Sequence, residues 1–163
     1  MIFKKVLSTY KECNFNEKSN TLTLDEKDIY KAVELTYEEG GELLLDITIT
    51  DYLDYVITQP SRFALVYIIR HKSFKDFIIL KSFLSEPKCL SISHSYKASD
   101  WLEREAYDQY GIVFENHPNL SRILNHWQFE GYPLRKDYPI TKGQYCSESI
   151  DLMPQMNERL LDM

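Results

Sequence analysis

No apolar run in this sequence approaches the ~20 residues that cross a bilayer. The longest, residues 63–69 and 77–80, are strand-sized. The expectation is a soluble protein, or one peripheral to a membrane through another subunit. Cysteine is equally sparse: Cys13, Cys89 and Cys146 lie far apart and form no C-x-x-C. Such a dispersed, odd set reads as reduced thiols and cannot supply the four clustered thiolates of an iron–sulfur site. The five glycines make neither G-x-G-x-x-G nor G-x-x-x-x-G-K-[ST], and G-x-S-x-G is missing too. Phosphate cradles and nucleophile elbows are therefore unsupported. The four histidines, His71, His94, His117 and His126, form no H-x-x-x-H or H-E-x-x-H, which argues against a metal site. Positive charge is also short, with 19 Lys and Arg against 25 Asp and Glu, a net charge of −6. That balance excludes general nucleic-acid binding, which needs a basic footprint. The first residues lack Arg and include Glu12, so they read as a first helix and not as a secretory or transit signal.

What the chain does have is a globular composition. With 163 residues, 44% hydrophobic and 27% charged, it is long and apolar enough for one domain with a real core. After the first helix, residues 21–24 read as a short strand. Asp25 stands where a second helix would be capped, with Ile29 and Val33 inward and Gly40-Gly41 stopping it. Residues 42–52 read as a strand in which Leu43, Leu45, Ile47 and Ile49 alternate against Leu44, Asp46, Thr48 and Thr50. Two further runs, R-F-A-L-V-Y-I-I-R and D-F-I-I-L-K-S-F-L, are separated by residues 71–75, short enough for an antiparallel hairpin. Residues 89–99 then lead into a third helix. Asp100 reads as its N-cap and Glu103 as the partner in a capping box. Arg104 and Asp108 are spaced to pair at i,i+4, and Gly111 sits where the helix should end. A short C-terminal helix is expected around residues 156–161.

Residues 101–139 are the densest stretch. They set Trp101, Glu103, Arg104, Glu105, Asp108, His117, Arg122, Arg135, Lys136 and Asp137 among aromatics and prolines. A solvated helix with an irregular tail is one reading. Against it, Trp101, Tyr107, Phe114, Leu124 and Trp127 would each forgo about 1.5–3 kcal/mol by staying in water. Charges carried inward with them must be paired, because stripping one partner from a buried pair costs about 3–5 kcal/mol. Glu103 and Glu105 diverge around a helix, so they form no acid–base pair. Asp51 and Asp54 could approach each other at a strand end, but no pocket is defined for them. An extended arm with Arg and aromatic anchors suits a protein interface better.

Here the sequence resembles a known family. E-R-E-x-x-D-x-x-G-I, then H-P-x-L-x-R-I-L and P-L-R-K-D-Y-P, are similar to the signature of the C subunit of NADH:quinone oxidoreductase, respiratory complex I. The matching residues include Gly111, His117, Pro118, Arg122 and the run from Pro133 through Pro139. L-D-I-T-I-T-D-Y and R-F-A-L-V-Y upstream have similar counterparts, so the likeness covers about residues 45–139. Departures fall at Asn116, Asn119 and Ser121, where the family usually has Gly, Asp and Arg. The resemblance implies an α+β fold: a mixed β-sheet with flanking helices, followed by an extended Pro-rich C-terminal arm. It divides the chain into one domain over 1–139, with a docking arm at 112–139 and an extension at 140–163. It implies a non-catalytic subunit of the quinone module, with no cofactor of its own, while FMN and iron–sulfur clusters reside in partner subunits. The implied neighbours are the quinone-cavity subunit and the terminal iron–sulfur subunit, at the matrix side of the mitochondrial inner membrane. Two alternatives stand beside it. One is the equivalent subunit of the plastid or cyanobacterial ferredoxin-dependent NDH complex; the other is a free-standing carboxylate-dependent enzyme.

Overall fold

The computed structural model describes residues 3–143. Its elements run α1 (Lys4–Thr9), β1 (Asn14–Asn16), β2 (Thr21–Leu24), α2 (Glu26–Glu38), β3 (Leu43–Asp51), β4 (Phe63–Arg70) and β5 (Phe77–Leu84). After these come β6 (Lys88–Leu90), α3 (Ser99–Tyr110) and β7 (Val113–Glu115). Five strands form one sheet in the order β1-β2-β5-β4-β3. Within it, only the β2–β5 pairing is parallel. The fold is α+β with a mixed sheet, as expected, and the β4–β5 hairpin pairs Arg70 with Phe77 across its turn. The helix expected around residues 156–161 lies outside the described residues.

Apolar alternation builds the sheet. Leu65, Tyr67 and Ile69 on β4 and Ile78, Leu80 and Leu84 on β5 are all buried, and they join Val6, Leu22, Ile29 and Val33 in one core. Helix α2 packs against β5, and α3 packs against β3. Asp25 does take the N-cap position of α2, although its side chain makes no capping bond. Gly40 ends that helix in the left-handed region, at φ +92°. The start of α1 is capped from a distance: the Glu39 carboxylate accepts the N–H groups of Lys5 at 2.7 Å and Val6 at 3.0 Å. A pair 34 residues apart has no local signature.

Three expectations need correction. The register of β3 slips between Leu44 and Asp46, leaving Leu45 as an extra residue. This bulge flips the phase, so Leu44 is buried while Leu43 and Leu45 are exposed; Ile47 and Ile49 keep their inward places. The third helix starts earlier than Asp100, with Ala98 at the N-cap, so Asp100 lies in its first turn. No capping box forms, because the Glu103 carboxylate turns inward instead. The segment after β5, read as a plain connection, contains β6, which pairs in parallel with β7. Three-residue strands are too short for a periodic signal to show.

Candidate functional site

The end of β3, the start of β4 and the C-terminal half of α3 converge where residues 117–138 fold back over them. Gly111 makes the turn possible. It lies at φ +72°, and a Cβ there would fall 2.5 Å from the Tyr132 ring and 2.6 Å from a guanidinium nitrogen of Arg135. Any side chain would therefore collide with the returning arm as well as strain the backbone. Asn116 is also left-handed, at φ +65°, where the family pattern has Gly. Asn is one of the few side-chain-bearing residues that adopt this conformation readily.

Asp108 anchors the first return of the chain. Its carboxylate is fully buried. Oδ1 accepts from Arg122 at 2.6 Å and from the Asn125 amide at 3.0 Å. Oδ2 accepts the backbone N–H groups of Ile123, Leu124 and Asn125 at 3.1, 2.8 and 2.8 Å. Burial alone would raise this acid, but the Asn125 and Arg122 hydrogen bonds outweigh it and hold its pKa at about 2. The expected Arg104–Asp108 pair does not form. Arg104 donates instead to the carbonyls of Ser121 and Arg122, at 3.1 and 3.3 Å, and lies over the Trp101 ring. Since the Ser121 contact is made by its carbonyl, the Ser side chain at that position costs the arm nothing there.

A second anchor joins the arm to the sheet. Arg62 grips Asp51 with two bonds, of 2.9 and 2.8 Å, and Asp137 with two more, of 3.0 and 2.7 Å. Asp51 also accepts the N–H groups of Leu53 and Lys136. Burial opposes its charge, yet Arg62 and these N–H donors bring its pKa down to about 2. Asp137 is lowered mainly by its bonds to Arg62. Asp51 is thus consumed in a structural pair, while Asp54 is exposed at a left-handed position, so no acid dyad exists. Between the anchors, Arg135 donates to Tyr110 O at 2.5 Å and sits 4.4 Å above the Tyr132 ring. A cation on the final carbonyls of α3 suits the negative end of the helix dipole.

A third cluster lies at the other end of α3. Glu103 Oε1 accepts the Ile92 N–H at 2.8 Å. Burial, the dominant influence, raises its pKa against the bonds that oppose it. The His117 side chain is fully buried between α3 and the root of the arm. Its Nε2 donates to Asp100 O at 3.1 Å, and its Nδ1 accepts the Asn119 N–H at 3.0 Å. A carbonyl can only accept and an N–H can only donate, so the ring is the neutral Nε2–H tautomer. The backbone of Asn119 supplies this contact, whatever its side chain.

The structure therefore gathers Glu103, Arg104, Asp108, Gly111, His117, Arg122, Arg135 and Asp137 into contacts within the chain. Trp101, Glu105, Pro118 and Lys136 face outward. So do Leu124 and Trp127, contrary to the expectation that such apolar side chains turn inward; Trp127 is 77% exposed. Arg62 and Asn125 were missed by sequence reading. Arg62 opens a strand motif, and its pairing spans 75 residues to Asp137. Among the described residues, no three His, Cys, Asp or Glu side chains are arranged to hold a metal, and no helix is long and apolar enough to cross a membrane.

The family model of the respiratory-chain NADH dehydrogenase 30 Kd subunit matches residues 22–144. The chain belongs to this family. The C subunit of the NADH-quinone oxidoreductase of Citrifermentans bemidjiense is 40% identical over 123 residues, spanning 74% of each chain. The C/D subunit of Bdellovibrio bacteriovorus is 36% identical over 129 residues, covering 77% of this chain but only 22% of that longer protein. The solved trypsin-resistant fragment (1-134) of Nqo5 superposes with a TM-score of 0.65 at 29% identity, covering 74% of this chain and all of the fragment. A chain of the membrane-bound sulfane sulfur reductase, an archaeal respiratory membrane complex, shares the fold at a TM-score of 0.70. It covers 86% of this chain and 85% of that one at 20% identity.

Proposed function

We propose that this chain is a non-catalytic structural subunit of the quinone module of a respiratory complex I, supporting electron transfer from NADH to quinone coupled to proton pumping. It would sit on the peripheral arm beside the quinone-cavity subunit and the terminal iron–sulfur subunit. FMN and the clusters would belong to its partners. The observation that carries this is the division of labour in residues 101–138. Asp108, Arg104, Arg122 and Arg135, which turn inward there, are bonded within the chain, and Glu103 gives one oxygen to the Ile92 N–H while its other oxygen has no hydrogen-bond partner. The outward groups, Trp101, Leu124, Trp127, Leu134 and Lys136, are of the kind that anchors an interface. The Bdellovibrio relative is a longer chain of combined C/D type, which supports a D-type subunit as the immediate neighbour.

In this reading the domain spans residues 1–139, its arm 112–139 presents the outward anchors, and residues 140–163 form an extension. Placement on the matrix face of a mitochondrial inner membrane is a finer reading, supported by the Ile-, Lys-, Tyr- and Asn-leaning composition; the relatives compared are bacterial.

Replacing Arg135 and Asp137 together by Ala removes the contacts that hold the last part of the arm on Tyr110 and Arg62. On a native gel the assembled complex should then decline, while surviving complex keeps its iron–sulfur spectrum. Undiminished assembly in that double variant would remove the docking role. Copurification of NADH-oxidising, flavin-bearing subunits with the tagged chain is expected. A ferredoxin-dependent set without them would replace complex I by the NDH alternative.

A further inference from the structure

The two edges of the five-stranded sheet are treated differently. An edge strand offers unpaired N–H and C=O groups, and proteins blunt such edges with short strands, Pro, Lys, bulges or a covering segment. β1 is blunted: it has three residues, two of them Asn. β3 has nine residues and contains neither Pro nor Lys. Its one bulge, between Leu44 and Asp46, leaves the remainder regular.

Which groups are free follows from the ladder. Tyr52 N–H donates to Arg62 O at 2.7 Å, so the residue just beyond β3 points its backbone toward the neighbouring strand. Alternation in an antiparallel pair turns Thr50 and Thr48 the same way. Ile49 and Ile47 then point their N–H and C=O groups outward, and among the described residues these groups meet no donor or acceptor.

A cleft follows that edge. One part, of about 110 Å³, is bounded by Asp46 through Ile49 and by Glu105, Gln109 and Leu134. A second part, of about 420 Å³, runs along Ile49 to Tyr52 and reaches Lys136. Ile49, Tyr110 and Leu134 border both parts, so the two lie side by side along the edge. At roughly 3.3 Å per residue, the edge from residue 46 to 52 is about 20 Å long, the length of an ordinary strand. The ends carry opposite charge. Asp46 and Glu105 stand at one, Lys136 at the other, and none of the three takes part in an ion pair among the described residues.

We propose that the outer edge of β3 receives an extended strand from a neighbouring subunit, which adds to the sheet as a sixth strand within the cleft. This rests on the subunit reading above. Main-chain bonds to Ile47 and Ile49 supply the affinity, as in other cases of strand addition. A basic residue of the incoming strand meets Asp46 and Glu105, and an acidic one meets Lys136.

Amide hydrogen exchange on the full chain alone and on the chain within the purified complex tests this. The Ile47 and Ile49 amides should exchange fast in the chain alone and at least ~100-fold more slowly in the complex. Thr48 and Thr50 should be slow in both. Equal, fast exchange of Ile47 and Ile49 in both samples would overturn the proposal. So would protection already present in the lone chain, whether truncation after residue 143 abolishes it (the chain's own tail) or dilution does (a second copy). As a second arm, Asp46→Lys with Glu105→Lys should weaken retention in the complex at least ~10-fold, since like-charge juxtaposition opposes docking, without shifting the melting of the chain alone. Unchanged retention would count against the charge match and the strand. If no respiratory subunit copurifies at all, the subunit reading itself falls. If they copurify with Ile47 and Ile49 unprotected, only the added strand does.

Discussion

In the sheet, Leu22, Leu65 and Leu80 are completely buried and require nothing but one another's contact. In residues 117–138 the groups that hold the chain down are Arg122, Arg135, Asp137 and a row of backbone N–H groups, and each ends on a named partner. Apolar burial is non-directional, so the sheet tolerates the loss of one contact in proportion to its area. The arm is specified by direction: Asp108 receives five bonds, from Arg122, the Asn125 amide and three consecutive backbone N–H groups. A sheet of the first kind makes a platform. An arm of the second kind makes a shape that is held in register while its outer face stays free for a partner.

Asp108→Ala should break the comparison most sharply. It strands Arg122 and three N–H groups, and removing one member of a buried pair costs about 3–5 kcal/mol. The loss should be local, with proteolysis appearing between residues 117 and 138 while β3–β5 remain protected. Leu80→Ala, at the centre of the core, should cost about 2–5 kcal/mol by leaving a cavity. That loss should be global, lowering the melting temperature of sheet and arm together. Hydrogen exchange read separately over the two regions checks both. If Asp108→Ala melts the whole chain in one step, the arm is part of the same cooperative unit and the two regions are not distinct.

Acid separates the two regions next. Asp51 and Asp108 are both held at about 2 in the folded chain, below the ordinary 3.8, and Asp137 is lowered as well. Groups whose folded pKa is depressed contribute stability that is complete above the unfolded value and lost as pH falls through the folded one. The arm should therefore loosen between pH about 4 and about 2, before the apolar core responds. Glu103 has the opposite sign, because burial raises it. Its contribution is complete below its ordinary value of 4.5 and declines as pH rises toward its folded pKa. Tryptophan fluorescence is a convenient reporter, since Trp127 belongs to the arm and Trp101 to α3. Coincident acid transitions in fluorescence and far-UV circular dichroism would argue against a separately titrating arm.

Much of this fold is legible in the sequence, and the reason lies in its chemistry. Period-two patterns of Val, Ile, Leu and Tyr report burial directly, so β4, β5 and their hairpin can be placed from residues 63–84 alone. Gly40 and Gly111 mark helix ends because only certain residues accept a left-handed backbone there. What cannot be read is set by distant partners. Arg104 and Asp108 have the spacing of a helix pair, yet each finds a better partner in a segment 14 to 18 residues away. Glu103 has the spacing of a capping box and serves instead as a buried acceptor. Local spacing predicts a local partner, and a returning arm outcompetes it by bringing backbone N–H and C=O groups that need satisfaction. The bulge at Leu45 is hidden for a related reason: a run of consecutive leucines gives no clue to which one is extra.

The smallest effect tests the rule that burial, not geometry, sets the worth of a charge pair. Arg62 holds two carboxylates in nearly the same two-pronged manner, but the Asp51 side chain is 1% exposed and that of Asp137 is 50% exposed. Water screens the outer pair and already solvates Asp137 when it is released. Asp137→Ala should therefore cost about 0.2–1 kcal/mol, a fall of no more than about 4 °C in the melting temperature of a chain this size. The change should shrink further in 1 M salt, where the screening length is about 3 Å. Asp51→Ala removes the buried partner of the same guanidinium and should cost several times more, with little dependence on salt. A double-mutant cycle with Arg62→Ala apportions the two. Equal coupling energies for Asp51 and Asp137 would mean that the shared geometry governs the pair, and that the arm's last anchor is as strong as the one within the sheet.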